Sequence, residues 1–331
     1  MGDSILSRMW VAADLSLNQL MKSIITRLAL TLPVVWLVVS LVFLLIHLVP
    51  GDPIVQMLGD GAAPADIDAL RHQYGLDLPL GAQYLHYWNG VLHGDLGSSI
   101  RLHATVGNLI AARYPYTMAL TLTALIAGLA LALPAGILAA VRRGRWLDQV
   151  LSVVSLFGLS VPGLALGPVL ILIFSIQLGW LPVSGANAGG GKSIDWPYLV
   201  LPSVAMGASL AAILTRMIRT AMLEELGQDY IRTARAKGLS ETAVVCRHAL
   251  PNALIPIVTV VGLQFGALLA GAIVTETIFS WPGLGRLTVS AISNRDYAVV
   301  QGCLLSIGLT YVLVNLLTDV VNRWVNPRNR E

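Results

Sequence analysis

EELGQDYIRTARAKGLSETAVVCRHALP, from Glu224 to Pro251, decides the fold, because it concentrates charge between strongly apolar runs. It carries Glu224, Glu225, Asp229, Arg232, Arg235, Lys237, Glu241 and Arg247, and an ionised side chain costs about 2.5–3.5 kcal/mol at a bilayer centre. The stretch therefore lies in water. Leu223, Leu226, Tyr230 and Ala234 share one helical face, and Gly238 ends that run because glycine adopts the positive φ that follows a helix. Ser240 is placed to cap a second helix with Glu241 at its positive end. That helix is expected to reach Leu250 before Pro251 and Pro256 interrupt it. The predicted shape is a two-helix elbow.

Around the elbow the chain is oily. Hydrophobic residues make up 56% of 331 and charged residues 12%, where soluble domains hold about 45–50% and about 25%. The mean hydropathy is +0.73. Six apolar runs stand out: Leu28 to Leu48, Tyr116 to Ala140, one within Val150 to Leu178, Tyr198 to Met217, Leu254 to Val274, and Leu304 to Val321. Each has about the 20 residues that cross roughly 30 Å of hydrocarbon as a helix. The expected fold class is an all-α integral membrane protein with six transmembrane helices. A small extramembrane element lies between spans one and two, and the helical elbow between spans four and five. Expected segments are 1–25, a cytoplasmic N-terminal stretch; 26–49, span one; 50–115, an outer element; 116–321, a core holding spans two to six and the loop 220–251; and 322–331, a cytoplasmic tail. In the outer element, helices around Ala65 to Tyr74 and Gln83 to Leu92, parted by Gly75 and Pro79, offer Leu70, Tyr74, Leu85, Trp88 and Leu92 as apolar surface.

Basic residues set the orientation. Fifteen Lys and Arg fall on the side holding the termini and the elbow and six on the other, three of those six in a long segment that counts little. Both termini and the elbow are expected in the cytoplasm. Membrane topology accounts for the basic residues, so the net charge of +3 calls for no nucleic-acid partner.

Several chemistries find no support. GANAGGGKS at Gly185 to Ser193 departs from a phosphate loop, which needs glycine where Ala186 stands. The histidines at 47, 72, 86, 93 and 103 show no close metal-ligand spacing, and Cys246 and Cys303 suggest no disulfide framework. No serine elbow, HExxH or paired carboxylates occupy a span, so no catalytic residue, cofactor or metal is assigned. A cleaved signal peptide is not expected, because the first apolar run is too long. Gly163-x-x-x-Gly167 and Gly262-x-x-x-Gly266 are suited to close helix packing. Thr121, Thr123, Gln264 and Asn315 are candidates for lining a pathway, and interhelical hydrogen bonds explain them equally.

The elbow resembles the cytoplasmic loop of ABC-importer permeases, matching its pattern at Ala234, Gly238, Leu250 and Pro251 and departing from it at Arg232, Thr233 and His248. QDYIRTARAKGLSE at Gln228 to Glu241 is similar to the peptide and nickel branch, as are PGDP at Pro50, HGDLG at His93, RRGRWLD at Arg142, GWLPVSG at Gly179 and ETIFSWPGLGRL at Glu276. The resemblance implies a bacterial inner-membrane subunit paired with a second permease, two cytoplasmic ATPases that hold ATP and Mg, and an extracytoplasmic solute-binding protein. It also implies that Tyr230, Arg232, Thr233, Ala234, Arg235, Lys237, Gly238, Leu239, Leu250 and Pro251 form the ATPase-coupling contact. Arg142, Arg143, Arg145 and Asp148 form a candidate second contact in a neighbouring short loop. Expected cargo is peptides or similarly small solutes moved by alternating access, with dipeptides, oligopeptides, glutathione and nickel chelates left open. The alternative, a stand-alone secondary transporter or channel, would require ionisable coupling residues at mid-membrane, and the runs hold almost none.

Overall fold

The computed structural model describes residues 29–44, 47–48, 54–55, 63–73, 75–99, 101–160, 163–188 and 193–325. Residues 1–28, the PGDP turn, Pro162, the Gly189 to Gly191 insertion and residues 326–331 lie outside them. The described helices, in chain order, are α1 (Ala29–Leu44), α2 (Pro64–Gln73), α3 (Leu80–His93), α4 (Val106–Val141), α5 (Trp146–Ser160), α6 (Gly163–Gln177), α7 (Trp196–Leu226), α8 (Asp229–Ala236), α9 (Glu241–Ile278), α10 (Leu284–Ser293) and α11 (Tyr297–Val325). A ribbon of two short antiparallel strands, β1 (Ser98–Ser99) and β2 (Ala104–Thr105), pairs Ser98 with Thr105 just before α4.

Four of these helices, α4, α7, α9 and α11, are long and apolar enough to cross a membrane. The pair α5 and α6 makes a fifth if counted as one span, but it bends by 103°, where the sequence suggested one crossing. Helix α1 is apolar and shorter, and residues 45–46 beyond it are not described.

The centre is the pair α4 and α7, which run parallel, Thr123 meeting Ser203 at one end and Gly136 meeting Ile218 at the other. Their backbones meet through glycine: a Cβ on Gly207 would lie 2.6 Å from the Ala124 carbonyl oxygen, and one on Gly136 2.7 Å from Ile218. Gly262 and Gly266 similarly face Thr318 and Tyr311 of α11, whereas a Cβ on Gly163 would meet nothing within 4 Å. Leu120, Leu210, Leu214 and Ile218 fill the core around these contacts.

Outside the centre, α3 lies against α1. Tyr84, Tyr87, Trp88 and Val91 form its inward face, at the i, i+3, i+4, i+7 spacing of one helical stripe. Leu85 and Leu92, expected among the buried apolar surface, stay 70% and 75% exposed because they fall about a quarter turn off that stripe. Leu70 and Tyr74 lie where side chains are not described.

Candidate functional site

The elbow differs from its expected form at both ends. Its first arm is two helices, because α7 stops at Leu226, Gly227 caps it, and Gln228 is extended with ψ 153° before α8 begins. The second arm does not stop at Leu250. Helix α9 runs on through Pro251 and Pro256 to Ile278. Pro251 follows a π-helical stretch at Val244–Ala249, where the looser i→i+5 bonding accommodates the amide that proline lacks.

The turn between the arms forms as its residues dictate. Gly238 has φ +79°, its N–H bonds the Arg235 carbonyl at 2.9 Å, and Leu239 N–H reaches the Ala234 carbonyl at 3.4 Å. These bonds satisfy carbonyls left open at the end of α8. Ser240 is extended, and its hydroxyl accepts the Ala243 N–H, capping α9. Across the turn, the Arg235 guanidinium donates to both oxygens of Glu241 at 2.8 and 3.2 Å.

Helix α8 has two faces. Ile231 and Ala234 are buried in the same apolar cluster as Met222, Val244 and Val245. Tyr230, Arg232, Thr233, Arg235, Lys237, Gly238 and Leu239 are exposed, as is Pro251 on α9, while Leu250 is half-buried. Ala234 is thus a core contact, not part of the outer surface, since a small residue is what lets α8 lie close to α9. Tyr230 ties the elbow to both long helices: its hydroxyl donates to Glu225 at the end of α7 and accepts from Asn252 Nδ2 of α9 at 3.0 Å. Desolvation, then the Glu225 carboxylate, pushes its phenol above the usual tyrosine value.

The loop joining α4 to α5 lies beside the elbow. Arg143 shares with Arg235, Glu241, Leu223, Leu226 and Val245 the wall of a crevice of about 300 Å³. Arg142, Arg143 and Arg145 are exposed, but Asp148 is turned inward. Its carboxylate accepts Arg219 Nε at 2.6 Å and Nη2 at 2.9 Å, with the Gly144 N–H at 2.9 Å. Removing one partner of a buried pair costs about 3–5 kcal/mol, and less here because the Arg219 side chain keeps 30% exposure. Arg219 is a functional candidate that sequence reasoning left among the basic residues; its acidic partner stands 71 positions away.

The pathway candidates do not converge. Gln264 lines a groove of about 250 Å³ with Gly163, Ser209, Gly271 and Thr275. Thr121 donates to the Thr117 carbonyl, and Thr123 bonds the Ala119 carbonyl and the Ser203 hydroxyl, so both are used inside the bundle. Asn315 is half-buried on α11.

A second polar centre, at the other end of α9, carries a signal that sequence reasoning set aside. Glu276 is fully buried. Its carboxyl accepts the Thr117 hydroxyl at 2.5 Å, the Arg286 N–H at 3.0 Å and the Gly285 N–H. A Cβ on Gly283 or Gly285 would collide with that carboxyl. The glycines of WPGLG are what admit it.

The chain and its helical fold have known counterparts. The family described as "Binding-protein-dependent transport system inner membrane component" matches residues 132–331, and its N-terminal companion matches residues 20–121. The chain belongs to this family. The glutathione transport system permease protein GsiC of Escherichia coli O6:H1 is 44% identical over 307 residues, which is 93% of this chain and 98% of that protein. GsiC of Shigella dysenteriae serotype 1 is likewise 44% identical with the same coverage. Two inward-facing crystal forms of the MetNI methionine ABC transporter share the fold, with TM-scores of 0.53 and 0.54 at 20% and 22% identity, covering 66% of this chain and 96% of those chains. The protein is therefore a multi-pass permease subunit of an inner-membrane ABC importer, a transport component and not an enzyme.

Proposed function

We propose that this permease passes glutathione or other short peptides across the membrane, with its termini and elbow in the cytoplasm and six spans in all. It works with a second permease, two ATPases carrying ATP and Mg, and a solute-binding protein on the outer face. The relatives named for glutathione transport support the cargo. So does the groove beside Gln264, where Ser209, Gln264 and Thr275 offer neutral hydrogen-bonding groups in an apolar wall. The basic asymmetry of the sequence supports the orientation.

Alternating access needs an energy input. Moving a two-state bundle from 1:99 to 99:1 takes about 5.5 kcal/mol of differential binding, which reaches this chain through a contact. One observation carries the reading: Arg232, Thr233 and Arg235 of α8, with Lys237, Gly238 and Leu239 of the turn that follows, are exposed, while the other face of α8 is locked into the core. A partner is able to push on such a surface, and the bundle behind it receives the push. Arg142, Arg143 and Arg145 extend the same contact.

Gly238→Asp tests it. The φ of +79° makes any side chain there strained by about 1–3 kcal/mol. A Cβ at Gly238 meets no described atom within 4 Å beyond its chain neighbours, so a side chain there starts out into open space, where a partner would meet it. The variant is expected at normal membrane abundance, with ATPase co-purification weakened or ATP turnover no longer linked to uptake; full uptake at normal abundance overturns the coupling role. Reporter fusions near Gly238 and Ala82 are expected to read cytoplasm and exterior, and a cytoplasmic reading at Ala82 breaks the orientation.

A further inference from the structure

Arg219 stands seven residues before the end of α7 at Leu226, roughly 10 Å along the helix, and the elbow begins there. Its guanidinium grips Asp148 with two parallel bonds, and the same carboxylate closes the α4–α5 loop by accepting the N–H of Gly144, whose φ is +76°. The Asp148 side chain is 7% exposed. One residue along α7, Ile218 fills the notch left by Gly136 of α4. Loop, α4 and α7 therefore meet at one place, through a close backbone contact and a charged fork side by side.

An apolar contact allows one helix to slide or roll over another, whereas a bidentate fork fixes direction as well as distance. Displacing α7 against the loop would also strand a carboxylate away from solvent. We propose that Asp148 and Arg219 are positioning residues that lock the α4–α5 loop to α7, so that a thrust on the elbow moves the inner ends of α4, α5 and α7 as one body. The proposal rests on the elbow being the coupling contact.

The test uses the full complex with its second permease, ATPases and binding protein. Spin labels go on Trp146 and Thr220, both exposed, and on Glu224 with Trp180 as a control pair, with Cys246→Ser in the background. The Trp146–Thr220 distance is expected to be narrow and the same in nucleotide-free and ATP-bound complexes while the control pair moves. A change above roughly 5 Å, about one helical turn, overturns the lock. In Asp148→Asn, and to a smaller degree in Arg219→Lys, that distance is expected to broaden already without nucleotide, and an unchanged narrow distance in both also overturns it. With glutathione as probe solute, uptake per ATP is expected to fall at least about fivefold in both variants at unchanged hydrolysis and abundance. Uptake, hydrolysis and abundance falling together would mark a merely structural pair. A control pair that stays still, or full uptake in Gly238→Asp, defeats the elbow reading instead; the nucleotide-free broadening decides the lock separately.

Discussion

The two ends of α9 are built by opposite means. At the elbow, charges pair in the open: Arg235 with Glu241 and Arg232 with Asp229, with every one of these side chains well exposed. At the far end the carboxyl groups are inside. Glu276 is fully buried and Asp296 is 5% exposed, the latter accepting the hydroxyl of buried Ser99 from the β-ribbon. Exposed pairs exchange partners at little cost, while buried carboxyls hold only the donors built around them. The first end is shaped for a changing contact, the second for holding α10, α4 and the ribbon in one geometry.

Glu276→Ala breaks this contrast most severely. It leaves the Thr117 hydroxyl and the N–H groups of Gly285 and Arg286 without their acceptor, at about 1–3 kcal/mol for each buried group left unmade. A marked fall in membrane abundance and thermal stability is expected, with Glu276→Gln intermediate because it keeps the shape. Normal abundance for the alanine variant, read by quantitative blotting of membranes, would show that the buried centre is dispensable.

Asp296→Ala should be milder, because the backbone N–H of Val299 and the Ser99 hydroxyl are the partners lost, and Leu102 still bonds Ser99. Faster proteolysis near the β-ribbon is the expected sign. Protection equal to the parent would mean that the ribbon is held by other contacts. The smallest effect belongs to Arg235→Ala, since an exposed pair contributes about 0–1 kcal/mol. Thermal stability is expected to stay nearly unchanged while ATPase co-purification weakens, and a large loss of stability would erase the distinction between the two ends.

Sequence rules reached the elbow because its determinants are local. Gly238 and Ser240 act on their immediate neighbours, and the positive φ and the cap both follow from residue type. The break at Gly227 carries no periodic signal, because the apolar stripe of Leu223, Leu226, Tyr230 and Ala234 continues across it. Pro251 and Pro256 would interrupt an isolated helix, but in α9 tertiary packing and a π-helical stretch absorb them. The apolar runs locate the long helices, yet the 103° bend between α5 and α6 has no periodic signature. Asp148 and Glu276 lay beyond local rules altogether: their partners Arg219 and Thr117 are 71 and 159 positions away, and only the folded bundle brings them together.

The unbroken course of α9 gives the molecule a rod of 38 residues, roughly 55 Å long, against about 30 Å of hydrocarbon. The same continuous element that begins beside the Gly238 turn carries Glu276 near its other end, so a single helix spans the distance between the exposed charges and the buried carboxyl.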